Sequence, residues 1–251
     1  SMGNHENSLK SVDYAIEYAK KAGSIAVVEL AKALVCKGWS YFRLGDAAEA
    51  LSLGEQSLEI CIAHLPDTAN EQARTLNLMA MALEQLGRPE QALGYKKQAL
   101  ALCREQDDRR GVSAMLNNLG VAVERQGDYQ RAVSFYQESL DISRQIGYRD
   151  GEILCLRNLG AAWVGLGEYA TAQDYLERAL DMHESTGWFA LSALYSDLAE
   201  AMLGQNRLDD AQSAAGRALA IGQERGEQKY IGAAWRVFGE LAAARDGTVR
   251  V

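Results

Sequence analysis

Apolar residues in this chain recur at spacings of three and four, the period of an amphipathic helix, and short polar turns interrupt the pattern. The stretch from Gly111 to Gly147 shows the grammar. Leu116, Leu119, Gly120 and Val123 fall on one helical stripe, and Gly127-Asp128 ends it, glycine accepting the left-handed backbone that stops a helix. A second stripe follows at once: Tyr129, Ala132, Val133, Tyr136, Leu140 and Ile142, with Gln130, Arg131, Gln137, Glu138 and Asp141 between them facing water. Two such helices on so short a turn pack antiparallel. Gly120 and Ala132 are expected where the two backbones come closest.

The same hairpin is written five times. Its turn appears as Leu44-Gly45-Asp46, Leu86-Gly87-Arg88, Gln126-Gly127-Asp128, Leu166-Gly167-Glu168 and, worn, Gln205-Asn206-Arg207. Five residues after each turn position stands an alanine, at Ala50, Ala92, Ala132, Ala172 and Ala211, in steps of 42, 40, 40 and 39 residues. A fixed period of that size means stacked supersecondary units. Pro89 falls in the first turn of a predicted helix, where its missing N–H does no harm. Gly151-Glu152 and Gly226-Glu227 read as connections between helices. Val12, Ala15, Ala19 and Ala22 match a second helix without its first, and Trp235, Phe238, Gly239 and Ala242 match a first helix without its second. A half unit is therefore expected at each end, and with it an excised piece of a longer protein. Open ends carrying Trp235 and Phe238 suit self-association. The expected organisation is a tag remnant or disordered stretch at 1–7, one domain over 8–246, and a disordered tail at 247–251.

This grammar resembles the tetratricopeptide repeat. Leu119-Gly120, Leu159-Gly160, Gly127-Asp128-Tyr129, Gly167-Glu168-Tyr169 and the spaced alanines carry the resemblance, which covers nearly the whole chain. At the flanks Lys37 stands for an expected Leu, and Gly54 and Lys96 for an expected aromatic. The period exceeds the common repeat length of roughly 34 residues, which makes the chain similar to the long repeats of kinesin light chains, of G-protein-signalling modulators and of the sensor segments in bacterial multidomain ATPases and transcription regulators. The resemblance implies an all-α, right-handed superhelical solenoid of antiparallel helix pairs, about five full repeats plus the two halves. It also implies that the first helices line a concave groove, which assigns Lys32, Val35, Cys36, Trp39, Arg43, Arg74, Asn77, Met81 and Glu84 to its near half. Asn117, Asn118, Val121, Glu124, Arg125, Arg157, Asn158, Ala161, Ser196, Asp197, Glu200, Arg236 and Glu240 fall along the rest. The Lys/Asn clamp by which chaperone-binding members hold a C-terminal carboxylate is not evident.

Composition narrows the chemistry. Hydrophobic residues make up 48% and charged residues 24% of 251 residues, with only 2 prolines, so long helices and a sizeable core are expected. A net charge of -8 without a cluster of Lys and Arg argues against direct nucleic-acid binding. No apolar run approaches the ~20 residues of a membrane span, and no signal peptide is recognisable, so a cytoplasmic protein is expected. Cys36, Cys61, Cys103 and Cys155 form no C-x-x-C pair, each stands where a helix wants a small apolar residue, and buried free thiols are expected. His5, His64 and His183 lie far apart and outside any metal-binding spacing; there is no P-loop and no nucleophile elbow. Asp107-Asp108 and Asp209-Asp210 read as turn or helix-start carboxylates. Neither a metal, a cofactor nor a catalytic centre is expected.

The expected function is a noncatalytic interaction domain that holds a peptide or a helix of a protein partner. The groove residues Arg74, Asn77, Asn117, Asn118, Arg125, Arg157, Asn158, Asp197 and Arg236 are the candidates. Asn118 and Asn158 are equivalent residues one repeat apart, and an amide offers a donor and an acceptor to an extended main chain. Arg74, Arg125, Arg157 and Arg236 offer charge-assisted bonds to acidic side chains. The alternative is the sensor of a larger ATPase or transcription regulator, binding an inducer or restraining a catalytic part.

Overall fold

Five turns in a computed structural model of the chain close in the same way. The amide N–H two residues past the last turn of the first helix reaches back five residues: Asp46 to the Tyr41 carbonyl at 3.0 Å, Arg88 to Leu83 at 2.8 Å, Asp128 to Val123 at 3.1 Å, Glu168 to Trp163 at 3.0 Å and Arg207 to Met202 at 2.9 Å. This closure needs a left-handed residue just before the donor. Gly45, Gly87, Gly127, Gly167 and Asn206 supply it, with φ between 60° and 89°. Asp46 and Asp128 then serve the next helix, each carboxylate accepting from the backbone N–H three residues on.

The structure describes residues 27–64, 69–186 and 191–246, together with Asp13 and Glu17. These form eleven helices: α1 (Val27–Leu44), α2 (Ala47–Ala63), α3 (Ala69–Gln85), α4 (Pro89–Glu105), α5 (Arg109–Glu124), α6 (Tyr129–Gln145), α7 (Arg149–Gly165), α8 (Tyr169–Thr186), α9 (Leu191–Gly204), α10 (Leu208–Arg225) and α11 (Gln228–Arg245). No strand occurs among the described residues. They make five hairpins followed by one further first helix. The half unit expected around Val12–Ala22, the stretch 1–7 and the tail 247–251 lie outside the described residues, although Asp13 is helical and its carboxylate pairs with Lys37 Nζ at 2.6 Å.

Contacts divide the chain into two compact units, residues 1–119 and 120–251. In the first, α1 packs on α2, α2 on α3 and α3 on α4, while the first helices α1 and α3 also lie side by side. In the second, consecutive helices from α6 to α11 pack in order, and α7, α9 and α11 touch as neighbouring first helices. Each unit is thus a stack of hairpins with first helices on one side, the arrangement of a tetratricopeptide solenoid. Ala50, Ala92, Ala132, Ala172 and Ala211 are all fully buried at the helix crossings. A methyl group added at Gly120 would run into the Tyr136 ring, and one at Gly160 into Leu176, so these glycines set how near the paired helices come.

A second left-handed slot joins one hairpin to the next at three junctions among the described residues, and the sequence places it in part wrongly. Asp107, Gly147 and Gly226 have φ of 53°, 67° and 70°, and Asp108, Tyr148 and Glu227 close back five residues at 2.8–2.9 Å. Gly226 is a connection as expected. Gly151 is not: it lies inside α7, buried, where a side chain would meet the Tyr148 ring. No described helix is long and apolar enough to cross a membrane.

Candidate functional site

In the first unit the inner faces of the first helices α1, α3 and the start of α5 enclose an open pocket of about 1040 Å³. Lys32, Val35, Cys36 and Trp39 come from α1, and Asn70, Glu71, Ala73, Arg74 and Asn77 from α3. Asp108, Arg110, Gly111, Ala114 and Met115 close the far side, with Cys103 and Gln106 from the end of α4. Helical phase explains the first set: Lys32, Val35, Cys36 and Trp39 advance by three, one and three along α1 and share one face. Trp39 stands with its edge to Phe42, ring centres 5.5 Å apart, which fixes the indole against the wall. Cys36 is exposed, against the expectation of a buried thiol, because it faces this pocket; Cys61, Cys103 and Cys155 are buried, and none of the four forms a disulfide. Burial and the nearby Asp108 push the Cys103 thiol up to about 11, so it stays protonated at neutral pH.

Five of the nine sequence-nominated residues belong to the second unit. Of the other four, Arg74 and Asn77 line the pocket. Asn118 Nδ2 donates to Asn77 Oδ1 at 2.9 Å, tying α5 to α3, and its own carbonyl accepts from Lys96 Nζ at 3.2 Å. Asn117 is buried, 5% exposed. In the second unit Arg157 Nε pairs with Asp197 Oδ2 at 2.8 Å, from α7 to α9, and Arg157 Nη1 also reaches Asn158 Oδ1 at 3.4 Å. Arg236 bridges Glu200 on α9 and Glu240 on its own helix α11, the latter at 3.0 Å. Asn158 is buried and Arg125 exposed. Arg157 is therefore engaged inside the stack, while Arg236, its side chain 52% exposed, is paired at the surface. Burial holds the Glu124, Asp197 and Glu200 carboxyls above their usual range, working against Tyr136, Arg157 and Arg236 respectively.

A buried polar tip recurs in both units, at Lys96, where the sequence shows a lapse from pattern, and at Tyr136, which it places in the apolar stripe. Lys96, fully buried, puts Nζ 2.5 Å from Glu84 Oε1; Tyr136, forty residues on and equally buried, donates from Oη to Glu124 Oε2 at 2.5 Å. Glu124 likewise follows Glu84 by forty. At the next repeat the two slots hold Leu176 and Val164, so both partners change character together. That co-substitution was the signal available in the sequence. It was missed because each helix was read alone.

Among the described residues no group of His, Cys, Asp and Glu is arranged to hold a metal ion. The pocket offers amides, charges of both signs and an aromatic wall.

Comparison with known proteins agrees with this architecture. The Tetratricopeptide repeat family profile matches residues 29–105, 111–185 and 192–217. No curated protein sequence matches. The fold is similar to that of BtubC (BKLC) from P. vanneervenii, with a TM-score of 0.74, 20% identity, and coverage of 88% of this chain and 92% of that one. It is similar also to a signal transduction ATPase with numerous domains and a tetratricopeptide repeat sensor from Pyrococcus horikoshii (TM-score 0.71, 18% identity, 92% of this chain and 36% of that one). A Rap protein complexed with Competence and Sporulation Factor matches with a TM-score of 0.62 at 17% identity, over 96% of this chain and 74% of that one.

Proposed function

Because the chain belongs to the tetratricopeptide repeat family, whose helix stacks are generally noncatalytic scaffolds for protein partners, we propose that it is an interaction domain holding an extended peptide or a helix of a partner against its first helices. The pocket between α1, α3 and α5 supports this reading: it opens between the first helices of the first unit, and its wall joins apolar area at Val35, Trp39 and Met115 to polar groups at Asn77 and Arg74. Asn77 and Asn118 spend one acceptor and one donor on each other. The two N–H groups of Asn77 and the side-chain oxygen of Asn118 are left to address a peptide main chain. Arg157 and Asp197 tie α7 to α9 and act as a support that holds these first helices in register; Asn117, Asn158, Arg125 and Arg236 are further groove positions of this reading.

A photo-cross-linking residue at Asn77 should capture a partner segment that the same residue at Lys97, exposed on α4, does not. Affinity for the captured segment should then fall by ~0.5–1.5 kcal/mol in Asn118→Ala. Equal capture from both positions, or unchanged affinity, rejects the assignment. A second reading, the sensor of a larger ATPase or transcription regulator, draws on the similarity to the Pyrococcus horikoshii protein. A P-loop or a helix-turn-helix encoded in the same gene would support it.

A further inference from the structure

Glu71 is the anomaly of the pocket. It stands in the first turn of α3 with only 5% of its surface exposed, yet it lines the cavity. One carboxylate oxygen takes a long 3.4 Å contact from Arg74 Nη1, one turn on, and Oε2 accepts no hydrogen bond from any described residue. A buried carboxylate in that condition is costly, because desolvation is incurred without a full set of donors. Its terminal torsion is soft, so a small rotation can turn the unfilled oxygen toward the cavity.

We propose that Glu71 is the receptor for a basic side chain, arginine or lysine, carried by the partner segment; this rests on the reading of the pocket as the binding face. The cations of the pocket do not cancel it. Lys32 is committed to Glu29 at 2.9 Å, and the Arg74 side chain is 69% exposed. Arg110 is exposed as well. Charges in water are screened, whereas a carboxylate in the wall acts through a lower dielectric. Asp108 adds a second carboxylate to the far side, where it caps α5 by accepting from Gly111 N at 2.9 Å. The stem of an incoming arginine would lie on Val35, Trp39 and Met115, with its guanidinium at Glu71 and near the indole.

The test uses the full chain and three capped pentapeptides, Ala-Ala-X-Ala-Ala, with X arginine, its neutral isostere citrulline, or glutamate. Binding is read from the Trp39 indole N–H resonance, assigned with Trp39→Phe. The arginine peptide should shift that resonance saturably, and the citrulline peptide should bind about tenfold more weakly. Glu71→Gln should cost the arginine peptide a similar factor and leave the citrulline peptide unchanged. If arginine and citrulline bind alike, or glutamate binds best, the basic preference is overturned while the binding face stands. If no peptide moves Trp39, the binding face falls with it. Should Glu71→Gln not fold, the arginine and citrulline comparison on the unaltered protein decides alone.

Discussion

Lys96 shows what a single side chain can hide from sequence reading. In a stretch of alternating faces it reads as a solvated cation in a place that prefers an aromatic, yet it is fully buried against Glu84, whose side chain is 8% exposed. A buried pair is weak evidence for stability, but losing one member is expensive. Lys96→Met should destabilise the fold by ~3–5 kcal/mol, since the buried Glu84 carboxylate loses the ammonium that stands 2.5 Å from it, and adding Glu84→Leu should restore most of the loss. Urea unfolding of both variants measures it; a single variant no weaker than the double would show the pair to be idle. Glu71 was illegible for a related reason. Carboxylates in first turns are ordinarily solvated and favoured by the helix dipole, and nothing in the local sequence says that this one is buried in the wall of a pocket. Lys32, Val35, Cys36, Trp39, Arg74 and Asn77 were legible because they sit in mid-helix, where phase alone fixes direction; Asn70, Asp108 and Arg110 sit at helix starts, where it does not.

At the scale of the element, the hairpin is specified by two left-handed slots and one close crossing. The first slot was legible because it holds Gly four times and Asn206 once. The second was not, because Asp107 fills it in one repeat and Gly151, a packing glycine, stands nearby as a decoy. Glycine therefore has opposite meanings by position, and substitution separates them. Gly120→Ala gains helix propensity of roughly 1 kcal/mol but drives a methyl into the Tyr136 ring, which its bond to Glu124 keeps from moving aside. The overpacking cost of ~1–3 kcal/mol should win, giving net destabilisation. Gly216, also helical, has open space where its side chain would be, and Gly216→Ala should stabilise by ~0.5–1 kcal/mol. Thermal melts of the two variants should move in opposite directions; a parallel shift would mean that the crossing is not set at Gly120.

For the molecule as a whole, repetition makes the fold legible and leaves the partner to a few departures from repetition. Alanines, turns and stripes recur because every hairpin solves the same packing problem. Trp39 and Glu71 do not recur from repeat to repeat, whereas Asn77 and Asn118 are followed forty residues on by Asn117 and Asn158; Trp39 and Glu71 both line the first unit's pocket. Arg157 and Arg236 are paired with carboxylates of the second unit itself, at Asp197, Glu200 and Glu240, instead of standing ready for a partner's acidic side chains. Electrostatic preference thus rests on the buried carboxylate of the first unit rather than on the arginines that dominate the sequence-level picture. The most direct measurement is a residue-by-residue amide shift map of the isotope-labelled chain titrated with the arginine pentapeptide. Perturbations gathered at Trp39, Glu71, Asn77 and Met115 are the predicted result. A footprint centred on the outer helices, at Glu90 and Lys97 of α4, would contradict the account.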